Sequence, residues 1–162
     1  RIMLYDINWE MMRAGAPKVK SSPYSGSIEY IQGDAERIAF ADNSFEGAMV
    51  GFGIRNLTHM EQGFREMHRV LKPGGKLMCL EFSEPVTPWL RALYDFYSFR
   101  IMPMIGKVIG GCQPAYTYLP ESIRLFPGPN ELKKLLEEIG FERVSYLRLT
   151  NGIAVVHVGV KK

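Results

Sequence analysis

Between residues 45 and 82 the chain passes from one apolar segment, FEGAMVGF, through THMEQGFREMHRVL into a second, KLMCLEF. The outer segments read as strands, and the first, around 46–52, is apolar almost throughout, the pattern of two-sided burial in a parallel sheet. Between them Met60, Phe64, Met67, Val70 and Leu71 recur at spacings of three and four, which puts them on one stripe of an amphipathic helix. Lys72-Pro73-Gly74-Gly75 stops that helix, because proline cannot continue it and glycine accepts positive φ. A buried strand that reaches the next through a helix constrains the chain to a layered α/β arrangement.

The flanking sequence repeats this rhythm. IMLY at 2–5, closed by Asp6, predicts a short buried strand, and NWEMMRAGAPKV predicts a helix up to Pro17. KSSPYSGS is a loop by composition, and IEYIQGDA at 28–35 predicts a strand whose exit turn is Gly33-Asp34. Asp42-Asn43-Ser44 forms the next turn. NELKKLLEEIGFERV predicts a helix ending at Gly140, and SYLRLTNGIAVVHVGVKK predicts two strands joined through Thr150-Asn151-Gly152, a terminal antiparallel hairpin. The fold class is therefore α/β, a mostly parallel sheet with helices on both faces and a reversed hairpin at its end. Residues 85–127 break the pattern, rich in aromatic residues, Met and Pro, and predict a helical insert capping a pocket within a single domain of residues 1–162.

Composition narrows the functional classes. With 46% hydrophobic and 23% charged residues, the chain has the makings of an ordinary globular core. A net charge of +3 without a basic run gives no nucleic-acid stripe. Cys79 and Cys112 lie far apart with only three histidines to join them, so neither a zinc site nor a disulfide framework is indicated, and both read as reduced thiols of a cytoplasmic protein. The longest apolar stretch, 101–111, is interrupted by Pro103, Gly106 and Lys107 and is no membrane span. The chain opens within an apolar run and without Met, which reads as a truncated start.

Ligands of open α/β sheets bind at the carboxyl ends of the strands, here Asp6, Gly33-Asp34-Ala35, Gly51-Phe52-Gly53-Ile54-Arg55-Asn56 and Glu81-Phe82-Ser83. An acid in the place of Asp6 accepts both hydroxyls of a ribose or, equally, caps the next helix. Asp34 accepts an adenine amine, with the Ala35 amide meeting a ring nitrogen, or is an ordinary turn aspartate.

Three stretches, GDAERIAFADNSFEGAMVGFGIRN, HRVLKPGGKLMCLEFSEP and YLPESI, resemble the S-adenosylmethionine-dependent C-methyltransferases of ubiquinone and menaquinone biosynthesis. LKPGG is common to many class I methyltransferases, whereas FGIRN with LEFS and YDFYSF is much narrower. The resemblance implies a Rossmann-like class I fold whose first strand and glycine-rich turn lie upstream of residue 1. It implies S-adenosylmethionine as cofactor, with Asp6 at the ribose, Asp34 and Ala35 at the adenine, and Gly51 and Phe52 flanking the methionine end. Gly51 stands where relatives commonly carry serine.

The substrate implied is a prenylated quinol, methylated at a ring carbon. A phenol of the tyrosine kind ionises at about pH 10, so its oxyanion needs stabilising. Arg stays protonated, which suits Arg55, with Asn56, to holding the quinol oxygen while a nearby group or water takes the proton. The alternative for Arg55 is pairing inside its own neighbourhood, with Glu81 or Glu84. Tyr94, Tyr97, Tyr116 and Tyr118 would orient or cover the head group, or simply pack. Trp89, Leu90, Leu93, Phe96 and Phe99 with Arg91 and Arg100 would give peripheral contact at the inner face of a membrane. His59, His68 and His157 read as surface or packing residues. The competing readings are a class I methyltransferase acting on another small lipid, and a non-catalytic module whose exposed sheet edge pairs with another chain, a homo-oligomer included.

Overall fold

The computed structural model describes residues 1–101, 104 and 113–162, with the side chains of 113–117 and 119 outside that description. Its first unit is β1 (Ile2–Asp6), α1 (Trp9–Lys20) and β2 (Ile28–Gln32), the two strands parallel. Asn8 caps α1 by accepting from the Met11 amide at 3.1 Å. The helix does not stop at Pro17, as the sequence predicts, but continues to Lys20. Proline removes one donor from the ladder, and Ser21 secures the last turn by donating its hydroxyl to the Pro17 and Lys18 carbonyls at 3.1 and 3.0 Å.

The second unit holds β3 (Phe45–Gly51), α2 (Met60–Val70), β4 (Leu71–Phe82), α3 (Pro88–Phe96), α4 (Gln113–Leu125), α5 (Pro129–Ile139), β5 (Phe141–Leu149) and β6 (Ala154–Lys161). Its sheet runs β3-β4-β6-β5, with β3 parallel to β4 and the last two strands antiparallel neighbours, as the expected hairpin requires. Lys72-Pro73-Gly74-Gly75 is a bulge inside β4 rather than a free loop: Phe45 pairs with Leu71 and Gly47 already with Lys76. Gly74 takes a φ of +77°, which the bulge needs and a side chain would resist.

The core lies on one face of this sheet. Phe64 and Met67 of α2 and Leu132 and Leu136 of α5 pack on Leu77 and Cys79 of β4 and on Phe141 and Val144 of β5. Fully burying one such side chain contributes roughly 1.5–3 kcal/mol. The other face differs from the expectation of helices on both sides. There Met49 is 72% and Leu147 64% exposed among the described residues, so β3 is not buried on two faces. Nor is β1 a buried strand, since Ile2 and Leu4 are exposed.

One side chain fastens the loop after β2 to α2. Arg69 donates to both carboxylate oxygens of Glu66, to Asp42 Oδ1 at 2.7 Å, and to the Phe40 and Ile38 carbonyls at 2.8 Å. Its guanidinium holds the Glu66 carboxyl below the usual carboxylate range. Arg69→Ala is expected to lower unfolding stability by about 2–3 kcal/mol, since several charge-assisted hydrogen bonds go together. Urea denaturation checks this, and a loss under about 0.5 kcal/mol would show that water replaces the network.

Candidate active site

The loop after β3 begins with an unusual backbone. Phe52 takes a φ of +56°, which turns the chain sharply while its amide still donates to the Leu80 carbonyl at 2.8 Å. Its ring lies 4.3 Å from that of Phe82. A 3-10 turn, Ile54–Asn56, follows, and Ile54 is sunk into the core at 1% exposure. With that residue pinned, the next side chain is directed across the strand ends.

That side chain is Arg55, only 10% exposed and paired with Glu81, which is 2% exposed. Nη1 donates to Glu81 Oε2 at 2.6 Å and to the Phe52 carbonyl at 2.7 Å. Nε is buried with no acceptor. The Phe82 ring lies 5.5 Å from the guanidinium carbon. Glu81 occupies an inward position of β4, on the same face as Leu77 and Cys79. Burial, with Glu81 nearby, pushes the Cys79 thiol up to about 12, so it is no nucleophile near neutral pH.

Arg55 lines a cavity of about 330 Å³ with Leu57, Met60, Tyr118, Glu121, Leu125 and Phe126. Asn56 stands beside it, accepting the Tyr118 hydroxyl at Oδ1 at 3.0 Å. The walls are mostly apolar with a few polar groups among them, as in small-molecule sites. A neighbouring cavity of about 390 Å³ holds more charges, but Arg91 pairs with Glu84 there, and Arg124 with Asp95.

The strand ends that would receive a nucleotide, Asp6 and the turn at Gly33-Asp34, adjoin each other across the parallel pair β1 and β2. Asp6 uses Oδ1 to accept the Asn8 amide at 2.8 Å, and its carbonyl accepts the Gly33 amide at 3.0 Å. Asp34 likewise uses Oδ1 for the Glu36 amide at 2.8 Å. One oxygen of each carboxylate thus orders the local turn, and the other takes no partner among the described residues. Ala35 adjoins α2: a Cβ placed at Gly63 would come 3.8 Å from its carbonyl and 2.4 Å from Leu57 Cδ1. A Cβ at Gly51 would meet nothing within 4 Å, so the backbone there borders open space.

The loop after β2 and the loop after β3 are joined by a contact with no signal in the sequence. Glu36 accepts the His59 amide at 2.9 Å and lies 2.8 Å from His59 Nδ1, tying the loop of Asp34 and Ala35 to that of Arg55 and Asn56. These bonds hold the Glu36 carboxyl below its ordinary range. Of the four candidate tyrosines, Tyr118 alone is placed at the Arg55 cavity among the described side chains. Tyr94 is half-buried on α3 and Tyr97 is exposed just after it, and neither lines either cavity. The side chain of Tyr116 lies outside the described residues, as does Cys112. His157 donates from Nε2 to the Pro129 carbonyl at 2.9 Å, in a packing role.

Solved structures match this architecture across almost the whole chain. A [4+2]-cyclase, SpnF, superposes with a TM-score of 0.70 at 14% identity, covering 99% of this chain and 66% of its own. A SAM-dependent methyltransferase from Aquifex aeolicus gives 0.64 at 16%, covering 100% and 69%. At such identities the likeness establishes the fold alone, the α/β Rossmann-like fold. Sequence relatives are much nearer. The mitochondrial 2-methoxy-6-polyprenyl-1,4-benzoquinol methylase of Bos taurus is 48% identical over 99% of this chain and 48% of its own length. The ubiquinone/menaquinone biosynthesis C-methyltransferase UbiE of Pseudomonas fluorescens (strain SBW25) is 44% identical over 99% and 63%. The chain spans about half the length of the mitochondrial relatives it matches. The model of the ubiE/COQ5 methyltransferase family matches residues 1–161, and the chain belongs to that family.

Proposed function

We propose that the intact protein transfers a methyl group from S-adenosylmethionine to a ring carbon of a prenylated quinol, either the benzoquinol or the naphthoquinol of respiratory quinone synthesis. The observation that carries this reading is the Arg55 guanidinium, largely buried and held by Glu81, lining a mostly apolar cavity. A cation desolvated in this way attracts a ligand oxyanion more strongly than it would in water.

The free carboxylate oxygens of Asp6 and Asp34 and the open backbone at Gly51 fit the cofactor. Asp6 would hold its ribose, Asp34 and Ala35 its adenine, and Gly51 and Phe52 its methionine end. When bound, the cofactor supplies an electrophilic methyl group. The protein's task is to make the ring carbon nucleophilic. Arg55 receives the quinol oxygen as its proton passes to a nearby water, and the ring carbon that gains the methyl group then gives up its own proton to restore the aromatic ring. Asn56 and Tyr118 orient the head group, and the apolar wall of Leu57, Met60 and Phe126 keeps out bulk solvent. Keeping the oxygen's charge opposite a fixed guanidinium raises electron density in the ring.

Within the 85–127 segment, α3 and α4 would serve as the cap, residues 102–103 and 105–112 lying outside the described residues. On α3, Trp89, Leu93 and Phe96 are 68%, 56% and 58% exposed at helical spacing, with Arg91 beside them. No helix among the described residues is long and apolar enough to cross a membrane, so this stripe suits contact at a bilayer surface, from which the polyprenyl tail is drawn. The reaction is tested by incubating the intact protein with methyl-labelled donor and each demethylated quinol. Label in the ring of at least one is the expected result, and none in either overturns the proposal.

A further inference from the structure

We infer that Glu81 is a positioning residue for Arg55, an inference that rests on the proposed role of Arg55 at the quinol oxygen. The alternation of β4 gives residue 81 an inward place that Leu77 and Cys79 fill with apolar side chains, and a carboxylate there is expensive unless paired. Its Oε2 takes Arg55 Nη1 at 2.6 Å and faces the Phe82 amide at 3.3 Å, and its Oε1 faces the Arg55 amide at 3.4 Å. The strand carrying it is held on both sides, by β3 and β6, with Glu81 opposite Val155. The acid is therefore anchored to the most constrained part of the sheet, whereas Arg55 rides on a short turn.

Two effects of Glu81 oppose each other. Its negative charge reduces the net field that Arg55 offers a developing oxyanion. Its hydrogen bonds, together with the Phe52 carbonyl at 2.7 Å, hold Nη1 and so fix the plane of the guanidinium where Arg55 lines the cavity. The geometry decides for the second: Nη1 has two acceptors within 2.7 Å, and a planar fork so held has one orientation. Misplacing a catalytic group by about 1 Å costs on the order of a hundredfold in rate.

The test is a double-mutant cycle in the intact protein with labelled donor and the better quinol. Glu81→Gln is expected to lower kcat by roughly ten- to a hundredfold with little change in quinol KM or in donor affinity by titration calorimetry. Introduced into Arg55→Lys, the same change is expected to cause less than about a twofold further loss, because the group it positions is already altered. Glu81→Asp, which retains the charge but shortens its reach, folds and shows the same kcat defect, so a folding failure of the glutamine variant leaves the test intact. Unchanged or raised kcat in both variants, or losses that multiply in the double variant, overturns the positioning role while Arg55 keeps its own. Full turnover in Arg55→Lys and Arg55→Ala instead overturns the Arg55 reading, and this inference with it.

Discussion

Arg55→Ala is expected to lower methyl transfer at saturating substrate by at least about a hundredfold, the usual consequence of removing one donor from an oxyanion site. The same change has a second effect that must be separated from the first. It leaves the Glu81 carboxylate, 2% exposed, without its cation, and breaking a buried pair from one side costs about 3–5 kcal/mol. A drop in activity alone would therefore be ambiguous. Replacing both partners resolves it: Arg55→Met with Glu81→Leu removes the stranded charge and fills the space with apolar atoms. Thermal unfolding of the double variant is expected to return to within a few degrees of the parent, while turnover stays as low as in Arg55→Ala. Recovery of turnover together with stability would mean that the pair serves the fold and that the quinol oxygen is held elsewhere.

The pair is the alternative that the sequence offered for Arg55, with Glu81 and not Glu84 as the partner. The strands and helices were legible because each follows from a local period: two for β4 and the hairpin, between three and four for α2 and α5. Gly140 ends α5 at a φ of +116°, a constraint written in a single residue. Burial was less legible, because the face on which Met49 lies is decided by which layer arrives to cover it and not by the strand itself. The passage of α1 through Pro17 depended on Ser21 four residues later. The strand-end candidates could be named because the topology of an open α/β sheet gathers its ligand groups at the carboxyl ends of the strands. The contact of Glu36 with His59 spans 23 residues and has no period, so nothing in the sequence announced it, whereas the sequence could name Glu81 for Arg55 only beside Glu84. For Glu81 one signal existed: in KLMCLEF the inward positions read Leu77, Cys79, Glu81, and an acid in that series needs a buried cation. Tyr118 gave no such sign, since its spacing along α4 matches packing as well as it matches a site.

The cofactor half of the edge is expected to respond differently from the quinol half. Asp6→Asn retains an oxygen for the Asn8 amide, so the turn into α1 should persist, but it replaces the anionic acceptor offered to two ribose hydroxyls by a neutral one. Hydrogen bonds to a charged group contribute about 1.5–3 kcal/mol each, so losing the charge-assisted part of even one corresponds to roughly ten- to a hundredfold weaker donor binding. Calorimetric titration of the intact protein with S-adenosylmethionine measures this directly, and unfolding in the absence of donor shows whether the turn survived. Asp34→Ala is expected to weaken binding less, since the exocyclic amine offers a single hydrogen bond and the Ala35 amide remains. Because neither aspartate touches the Arg55 cavity, quinol KM at saturating donor should hold in both variants. Equal donor affinity in parent and Asp6→Asn would place the ribose away from β1 and reduce Asp6 to its contact with Asn8.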